Sequence, residues 1–275
     1  MHNNIEKIGI IAGSRSLPKL FTQEARAMGI SSIICVAFEG ETDPEMENLA
    51  DETIWIKVGK LGKLINAFKK KGVSKCVMLG QVAPKNLFKV QPDIRGASLL
   101  FKLKEKNAHT IFGAIAEELQ SEGITLISAA PFLKSFMPGD GYHEGRRLSP
   151  EDRDEAEFGF RIAKSISELE IGQTVVVKQG TVLAVEGFEG TDQCLIRGGL
   201  LAGKKGGATA VKVAKKNHDM RFDIPCLGYT TLEKCAENGI NNLVFEAGMT
   251  LLLDKEMWMP KLKSWKISLM SFSGS

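Results

Sequence analysis

The sequence predicts an α/β protein with an N-terminal Rossmann-like domain on a parallel sheet and a distinct C-terminal α/β domain with a mixed sheet. Three observations carry this expectation. Short apolar runs alternate with amphipathic stretches through the first half, a pattern that calls for crossover connections between parallel strands. The periodicity stops between Pro131 and Pro150, where turn formers and charges collect. Beyond Pro150 a hairpin and more widely spaced apolar runs replace the regular alternation.

The elements follow in order. Lys7–Ala12 is the first apolar run, Gly13 turns the chain, and Leu17–Met28 has helical periodicity. Further strands are expected at Ser32–Ala37, Thr53–Ile56, Lys75–Leu79 and Thr125–Ser128, with helices at Lys60–Lys71 and Ala108–Glu122. Ligands of such sheets bind beyond the carboxyl ends of the strands, so Gly13-Ser14-Arg15-Ser16, Gly80-Gln81-Val82 and Ser128-Ala129 share one rim. Residues 1–138 are read as the first domain, 139–149 as a linker and 150–275 as the second domain. Ser149 as N-cap, Pro150 at the first helical position and Asp152 at the third open a helix to about Ser167. Thr174–Lys178 and Thr181–Glu186 flank Gln179-Gly180 as a hairpin. Apolar runs at Ala208–Val213, Leu243–Phe245 and Thr250–Leu253 complete the mixed sheet, with helices near Leu195–Leu201, Leu232–Asn238 and Lys255–Lys263.

Composition narrows the function. The 275 residues are 43% hydrophobic, ample for two cores. A net charge of +3 without a long basic run argues against nucleic acid as the main partner. No signal-peptide pattern opens the chain, and no apolar run approaches the roughly 20 residues that span a bilayer. The five cysteines have no CxxC spacing, which favours reduced thiols over disulfides or zinc, and no HExxH pair occurs. These features predict a cytoplasmic protein.

Chemistry concentrates in two segments. Glu186, Glu189 and Asp192 crowd a glycine-rich turn, Val185-Glu186-Gly187-Phe188-Glu189-Gly190-Thr191-Asp192. A fourth carboxylate, Asp223, sits in Arg221-Phe222-Asp223-Ile224-Pro225, where the proline after Ile224 favours an extended backbone. Carboxylates this dense suit a hard divalent cation such as Mg²⁺ bound together with substrate phosphates. Lys178, Arg197, Lys212, Lys215, Lys216 and Arg221 would suit the anion itself. A solvated acidic turn and an Arg221–Asp223 surface pair account for the same residues without a ligand. Gly13 and Ser14 resemble a nucleotide-binding loop before a helix N-terminus, but Ser16 stands where the dinucleotide fingerprint needs its last glycine. Glu39 follows the second strand, where a ribose-binding acid sits in dinucleotide folds. The apolar stretch Ala129–Pro138 fits acyl chains, a membrane surface or packing between domains.

Taken together, GIIAG…LP at the first turn, Gly80-Gln81-Val82, Ile171–Val177, Val182–Asp192, Val211-Lys212, Arg221–Gly228 and Glu246-Ala247-Gly248 resemble the LpxI-type UDP-2,3-diacylglucosamine pyrophosphatases of lipid A biosynthesis. The resemblance spans nearly the whole chain. It implies Mg²⁺-dependent hydrolysis of the UDP-lipid to UMP and 2,3-diacylglucosamine 1-phosphate (lipid X), with attack on the β-phosphorus. It implies Asp223 as the essential aspartate and two domains that hold the substrate; the crowding of carboxylates on the glycine-rich turn adds Asp192 and Glu189 to Asp223 as expected metal ligands. Substrate contacts are then expected from Gly13, Ser14, Gly80, Gln81, Ser128, Lys178, Thr191, Asp192, Arg197, Lys212 and Arg221. A lipid-linked substrate also implies transient contact with the inner-membrane surface, and a homodimer is left open. The sequence departs from the family at Ser14-Arg15-Ser16, at Asn107-Ala108-His109-Thr110 and at Lys215-Lys216-Asn217-His218. Two other classes compete: an NAD-dependent oxidoreductase, and a non-catalytic nucleotide-sugar or lipid carrier with no need of Asp223.

Overall fold

The computed structural model describes residues 5–82, 91–105, 108–215 and 219–274. The chain divides into two compact units, Met1–Leu133 with Met220–Asp223, and Lys134–Asp219 with Ile224–Ser275. The expected division near residue 138 is therefore close in sequence but incomplete, because four residues from the second half belong to the first unit.

The first unit is built on β1 (Lys7–Ala12), β2 (Ser32–Phe38), β3 (Glu52–Ile56), β4 (Lys75–Leu79) and β5 (Thr125–Leu126). All pair in parallel, in the order β3-β2-β1-β4-β5. Five of the six β1 residues are buried, as expected for a parallel sheet covered on both faces. The connecting helices are α1 (Leu17–Ala27), the short α2 (Met46–Leu49), α3 (Leu61–Lys70), α4 (Ile94–Lys102) and α5 (Ala108–Ser121). Ile11, Ile34, Val36 and Cys76 from the sheet pack with Leu64, Ile65 and Phe68 of α3, Leu99 of α4 and Leu119 of α5. The sequence reading missed α4. Its start is fixed by Asp93, whose carboxylate accepts from Gly96 N at 2.9 Å and from Gly62 N at 2.8 Å.

The second unit carries a six-stranded mixed sheet. Its strands are β6 (His143–Gly145), β7 (Thr174–Lys178), β8 (Thr181–Val185), β9 (Ala208–Lys212), β11 (Ile240–Glu246) and β13 (Ser268–Phe272), in the order β6-β13-β11-β9-β7-β8. Two further short strands, β10 (Cys226–Leu227) and β12 (Leu251–Leu252), pair in parallel apart from it. Helix α6 (Pro150–Glu168) opens with the expected capping box, in which Ser149 and Asp152 each accept from the other's backbone N–H. Alternation on β7 sends Val175 and Val177 toward Ala156, Phe160 and Ala163 of α6. Val176 faces the opposite core with Cys194 and Leu195 of α7 (Thr191–Ala202) and Leu232 and Cys235 of α8 (Tyr229–Glu237). Trp258, in α9 (Lys255–Trp258), is fully buried there, and α10 (Leu262–Trp265) adds Leu262. The β7–β8 hairpin turns through Gln179 and Gly180, both at positive φ (49° and 70°), as a two-residue hairpin requires.

Within residues 139–149, expected as a linker, His143–Gly145 instead join this sheet as β6. β6 pairs antiparallel with β13, and Ser271 Oγ donates to Gly139 O at 2.7 Å while accepting from Tyr142 N at 2.9 Å. Turn formers marked the segment as irregular, but the partner strand that recruits it lies more than a hundred residues away. Limited proteolysis is accordingly expected to spare residues 143–145 until the second unit unfolds. Early cuts there, mapped by mass spectrometry, would contradict the pairing.

One half-buried carboxyl of the second unit is only partly satisfied. Glu155 on α6 accepts from Thr209 Oγ1 at 3.1 Å, while its Oε1 is buried without a hydrogen-bond partner among the described residues. Burial, first, and the charge of Asp152 push its pKa up; Thr209, the Gln179 backbone and Lys178 oppose this. A carboxyl with a raised folded pKa favours folding when protonated, and loses that contribution as pH rises above its ordinary value of 4.5. Glu155→Gln is therefore expected to raise the melting temperature at pH 7, with the gain shrinking toward pH 4. An equal or larger gain at the lower pH would contradict this.

Candidate functional site

The strand order reverses between β1 and β4, which makes their carboxyl ends the topological switch point of the first unit, the usual ligand crevice of such sheets. The loops after these two strands are laced together. Gly13 N donates to Leu79 O at 2.7 Å, and Ser14 and Gln81 exchange backbone hydrogen bonds of 2.8 and 3.3 Å. Ser14 Oγ adds a third link, donating to Gln81 O at 2.6 Å. The approach needs two glycines: a Cβ on Gly13 would lie 2.8 Å from Gln81 O, and one on Gly80, at φ +86°, would lie 2.5 Å from Ser14 O. The expected residues Gly13, Ser14, Gly80 and Gln81 thus form one structure at the crevice, followed directly by α1. Arg15 leaves the loop exposed and at φ +72°.

Ser128 and Arg221–Asp223 also come together in the first unit. Ser128 Oγ donates to Met220 O at 3.0 Å and accepts from Ala130 N at 3.2 Å. Phe222 packs into the core and meets Phe112 with ring centroids 5.6 Å apart. Its neighbours Arg221 and Asp223 are exposed on either side of this anchor. The sequence reading gave Phe222 no role of its own. The structure makes Phe222 the peg that fixes where Asp223 is presented.

In the second unit, the expected residues fall into a cluster and an outlier. Lys212 ends β9, and Thr191 begins α7 after the N-cap Gly190, whose φ of +84° suits glycine. Lys212 Nζ donates to Thr191 Oγ1 at 3.3 Å and to Cys226 O at 3.2 Å, while Thr191 Oγ1 donates to Glu186 Oε1 at 2.9 Å. An ammonium beside the positive end of a helix dipole suits an anionic ligand. Asp192 lies in the same first turn. Arg197, one face further along α7, braces the glycine-rich turn by donating to Val185 O at 2.7 Å and Glu189 Oε1 at 2.5 Å.

The crowded carboxylates are largely satisfied. Glu186 accepts from Thr191 and from Gln173 N, and Glu189 from Arg197 and from Gly187 N. The Arg197 guanidinium holds the Glu189 carboxyl below its ordinary pKa. Among the described residues no group of three or more His, Cys, Asp or Glu side chains is placed to hold a metal. Glu189 would have to leave Arg197 to serve as a ligand.

Lys178 is the outlier. Its Nζ donates to Ala202 O and Gly206 O, both at 2.7 Å, so it caps the C-terminus of α7. Thr191 and Lys212 lie at the other end of that helix, about 16 Å away at 1.5 Å per residue. Its charge marked it as a substrate contact, but position along the sheet assigns it to structure. Lys216 and His218 lie outside the described residues. Burial pushes the thiols of Cys35, Cys76 and Cys194 up to about 12, which keeps them from the thiolate form a nucleophile needs.

Comparison with known proteins places these features in a family. Residues 7–136 match the LpxI N-terminal domain model and 139–270 match the LpxI C-terminal domain model. The chain is 28% identical over 262 residues to the UDP-2,3-diacylglucosamine pyrophosphatase LpxI of Caulobacter vibrioides, covering 92% of each. Solved structures give only slight likenesses. A Hydrogenobacter thermophilus 2-oxoglutarate carboxylase biotin carboxylase domain matches at 16% identity and TM-score 0.29, over 73% of this chain and 42% of that one. The N5-carboxyaminoimidazole ribonucleotide synthetase from Thermotoga maritima matches at 19% identity and TM-score 0.25, over 67% and 42%. The chain thus spans about two fifths of those proteins, and likenesses this slight carry no argument. The family models together account for both units, and the chain belongs to the LpxI family.

Proposed function

We propose that this protein hydrolyses the pyrophosphate bond of UDP-2,3-diacylglucosamine, releasing UMP and 2,3-diacylglucosamine 1-phosphate (lipid X) in lipid A biosynthesis. The observation that carries the reading is the end-to-end match to a pyrophosphatase of that name, 92% of both chains. The geometry supports it. Lys212 at the N-terminus of α7 suits an anionic group, and Asp223 is an exposed carboxylate on a segment fixed by Phe222 and Ser128.

Asp223 is assigned to the attacking water. Its carboxylate accepts a hydrogen bond from the water and takes up the proton as the oxygen bonds to the β-phosphorus. The bond from the β-phosphorus to the bridging oxygen breaks, and UMP leaves with that oxygen. Arg221, two residues from Asp223, neutralises charge that gathers on phosphoryl oxygens, and Lys212 offers a cation of the same kind in the second unit. A divalent cation such as Mg²⁺ would supply further charge neutralisation, with Asp223 the residue to hold it in the first unit and Asp192 the residue to hold it in the second. Glu189 joins them only by exchanging its guanidinium partner. The substrate's two acyl chains place it at a membrane, so the reading includes transient contact of a cytoplasmic protein with the inner-membrane surface. Exposed Phe188, Leu200 and Leu201 in the second unit are compatible with that contact.

UMP release from the UDP-lipid is the test of the metal. Activity is expected to disappear in EDTA and return with excess Mg²⁺. Full turnover in EDTA would remove the cation from the reaction.

A further inference from the structure

The first unit contains a cavity of about 780 Å³ that none of the roles above uses, lined by Arg15, Glu39, Glu41, Thr42, Glu47 and Trp55, among others. It lies at the carboxyl ends of β1, β2 and β3, because Arg15 follows β1, Glu39–Thr42 follow β2, and Trp55 is in β3. Its walls are held by specific bonds. Thr42 Oγ1 donates to Ala12 O and accepts from Phe38 N, tying the loop after β2 to the end of β1. Glu39 N donates to Ile56 O at 2.9 Å, and Trp55 Nε1 donates to Glu47 Oε1 at 2.5 Å, which orients the indole. Lys19 pins the loop from outside through Asp43 at 2.7 Å.

The lining chemistry is selective. It offers several carboxylates, one flat aromatic ring and, among its described residues, the single cation Arg15. So many carboxylates repel a phosphate, but they accept hydrogen bonds from neutral O–H and N–H groups. A neutral ligand part with a planar ring and several donors fits this description, and a nucleoside has both. Its ribose carries two hydroxyl donors, and uracil carries an N–H between two carbonyls. In doubly wound sheets of this strand order, an acid after β2 takes the ribose hydroxyls, and Glu39 is the residue there.

We propose that this cavity is the nucleoside subsite, with the ribose hydroxyls on Glu39, the base against Trp55, and Arg15 toward the first phosphate. The assignment deepens the proposed UDP-lipid reading and rests on it for the identity of the base.

The test uses the intact protein and three probes: uridine, 2′-deoxyuridine and glucose 1-phosphate. Trp55 is the one tryptophan of the first unit, Trp258 and Trp265 being in the second. Uridine is expected to quench fluorescence, and the quench to be lost in Trp55→Leu. Glucose 1-phosphate should leave the signal unchanged. Wild-type protein should bind uridine about 10-fold more tightly than 2′-deoxyuridine, the size of one hydrogen bond to a charged group. Glu39→Gln should erase most of that difference, an effect that general damage to the loop would not mimic. On the UDP-lipid, both variants should raise KM with kcat within about 3-fold, the mark of lost uniform binding. Unchanged uridine affinity in both variants, or a quench by glucose 1-phosphate equal to that by uridine, would overturn the subsite even if wild-type turnover is normal. Uridine binding with these variant effects, but no hydrolysis by the wild type, would uphold the subsite and sink the pyrophosphatase reading.

Discussion

Asp223→Ala is expected to lower turnover of UDP-2,3-diacylglucosamine by about 10²–10⁴-fold, the usual contribution of a group that moves a proton in the transition state. Substrate affinity should fall far less, because the remaining cations and the nucleoside contacts are untouched. Stability should hardly change, since Asp223 is exposed and the segment is anchored by the neighbouring Phe222 and by Ser128. The measurement is therefore paired: single-turnover rate and binding of the same lipid, with a melting curve as control. A stable variant that releases UMP at near the wild-type rate would remove Asp223 from the chemistry. A variant that loses rate and binding together would make it a binding residue instead.

Gly80→Ala is expected to be the most damaging single-methyl change at the crevice. Its Cβ would stand 2.5 Å from Ser14 O, at a φ of +86° that L side chains rarely adopt. Gly29→Ala is a fitting control, because Gly29 has a similar φ of +90° but nothing within 4 Å of the added atom. The control should cost only the backbone preference, about 1 kcal/mol. Gly80→Ala adds a backbone clash to that preference, and should cost about 2–4 kcal/mol in denaturant unfolding of the first unit. Since the loops after β1 and β4 would have to part, KM for the UDP-lipid should rise as well. Equal losses in the two variants would show that the close approach at the switch point is not needed.

Much of this architecture is readable in the chain. The strands of the first unit could be read because each is a short apolar run, most of them next to a helix of clear periodicity, and the capping box at Ser149 is a local signal. What escaped notice depends on distant partners. β6 exists as a strand because it pairs with β13, more than a hundred residues away, and β13 itself is held on its other side by β11. The segment Met220–Asp223 joins the first unit through Phe222, whose core partners come from the other half of the sequence. Helix α4 could have been found, since Asp93 three residues before Gly96 is an N-cap signal.

The candidate site shows the same division. Charge alone selected Lys178, Arg197 and Lys212 as one group. Position separates them into a C-cap, a turn brace and a cation at the N-terminus of α7. The carboxylates of the glycine-rich turn looked like an unfilled metal cage because a count of charges does not show that Thr191, Arg197 and nearby backbone N–H groups turn toward them. The cavity with Trp55 escaped notice too. Glu39 was visible as an acid after a strand, but nothing local links it to an indole in the next strand.

The most direct test is hydrolysis of UDP-2,3-diacylglucosamine in ¹⁸O-water, with the two phosphorylated products resolved by mass spectrometry. The reading predicts UMP and 2,3-diacylglucosamine 1-phosphate in equal amounts, with one ¹⁸O in the sugar 1-phosphate and none in UMP, because water attacks the β-phosphorus. Label in UMP would contradict attack at that phosphorus. Intact substrate after prolonged incubation with folded, Mg²⁺-supplied protein would contradict the function itself.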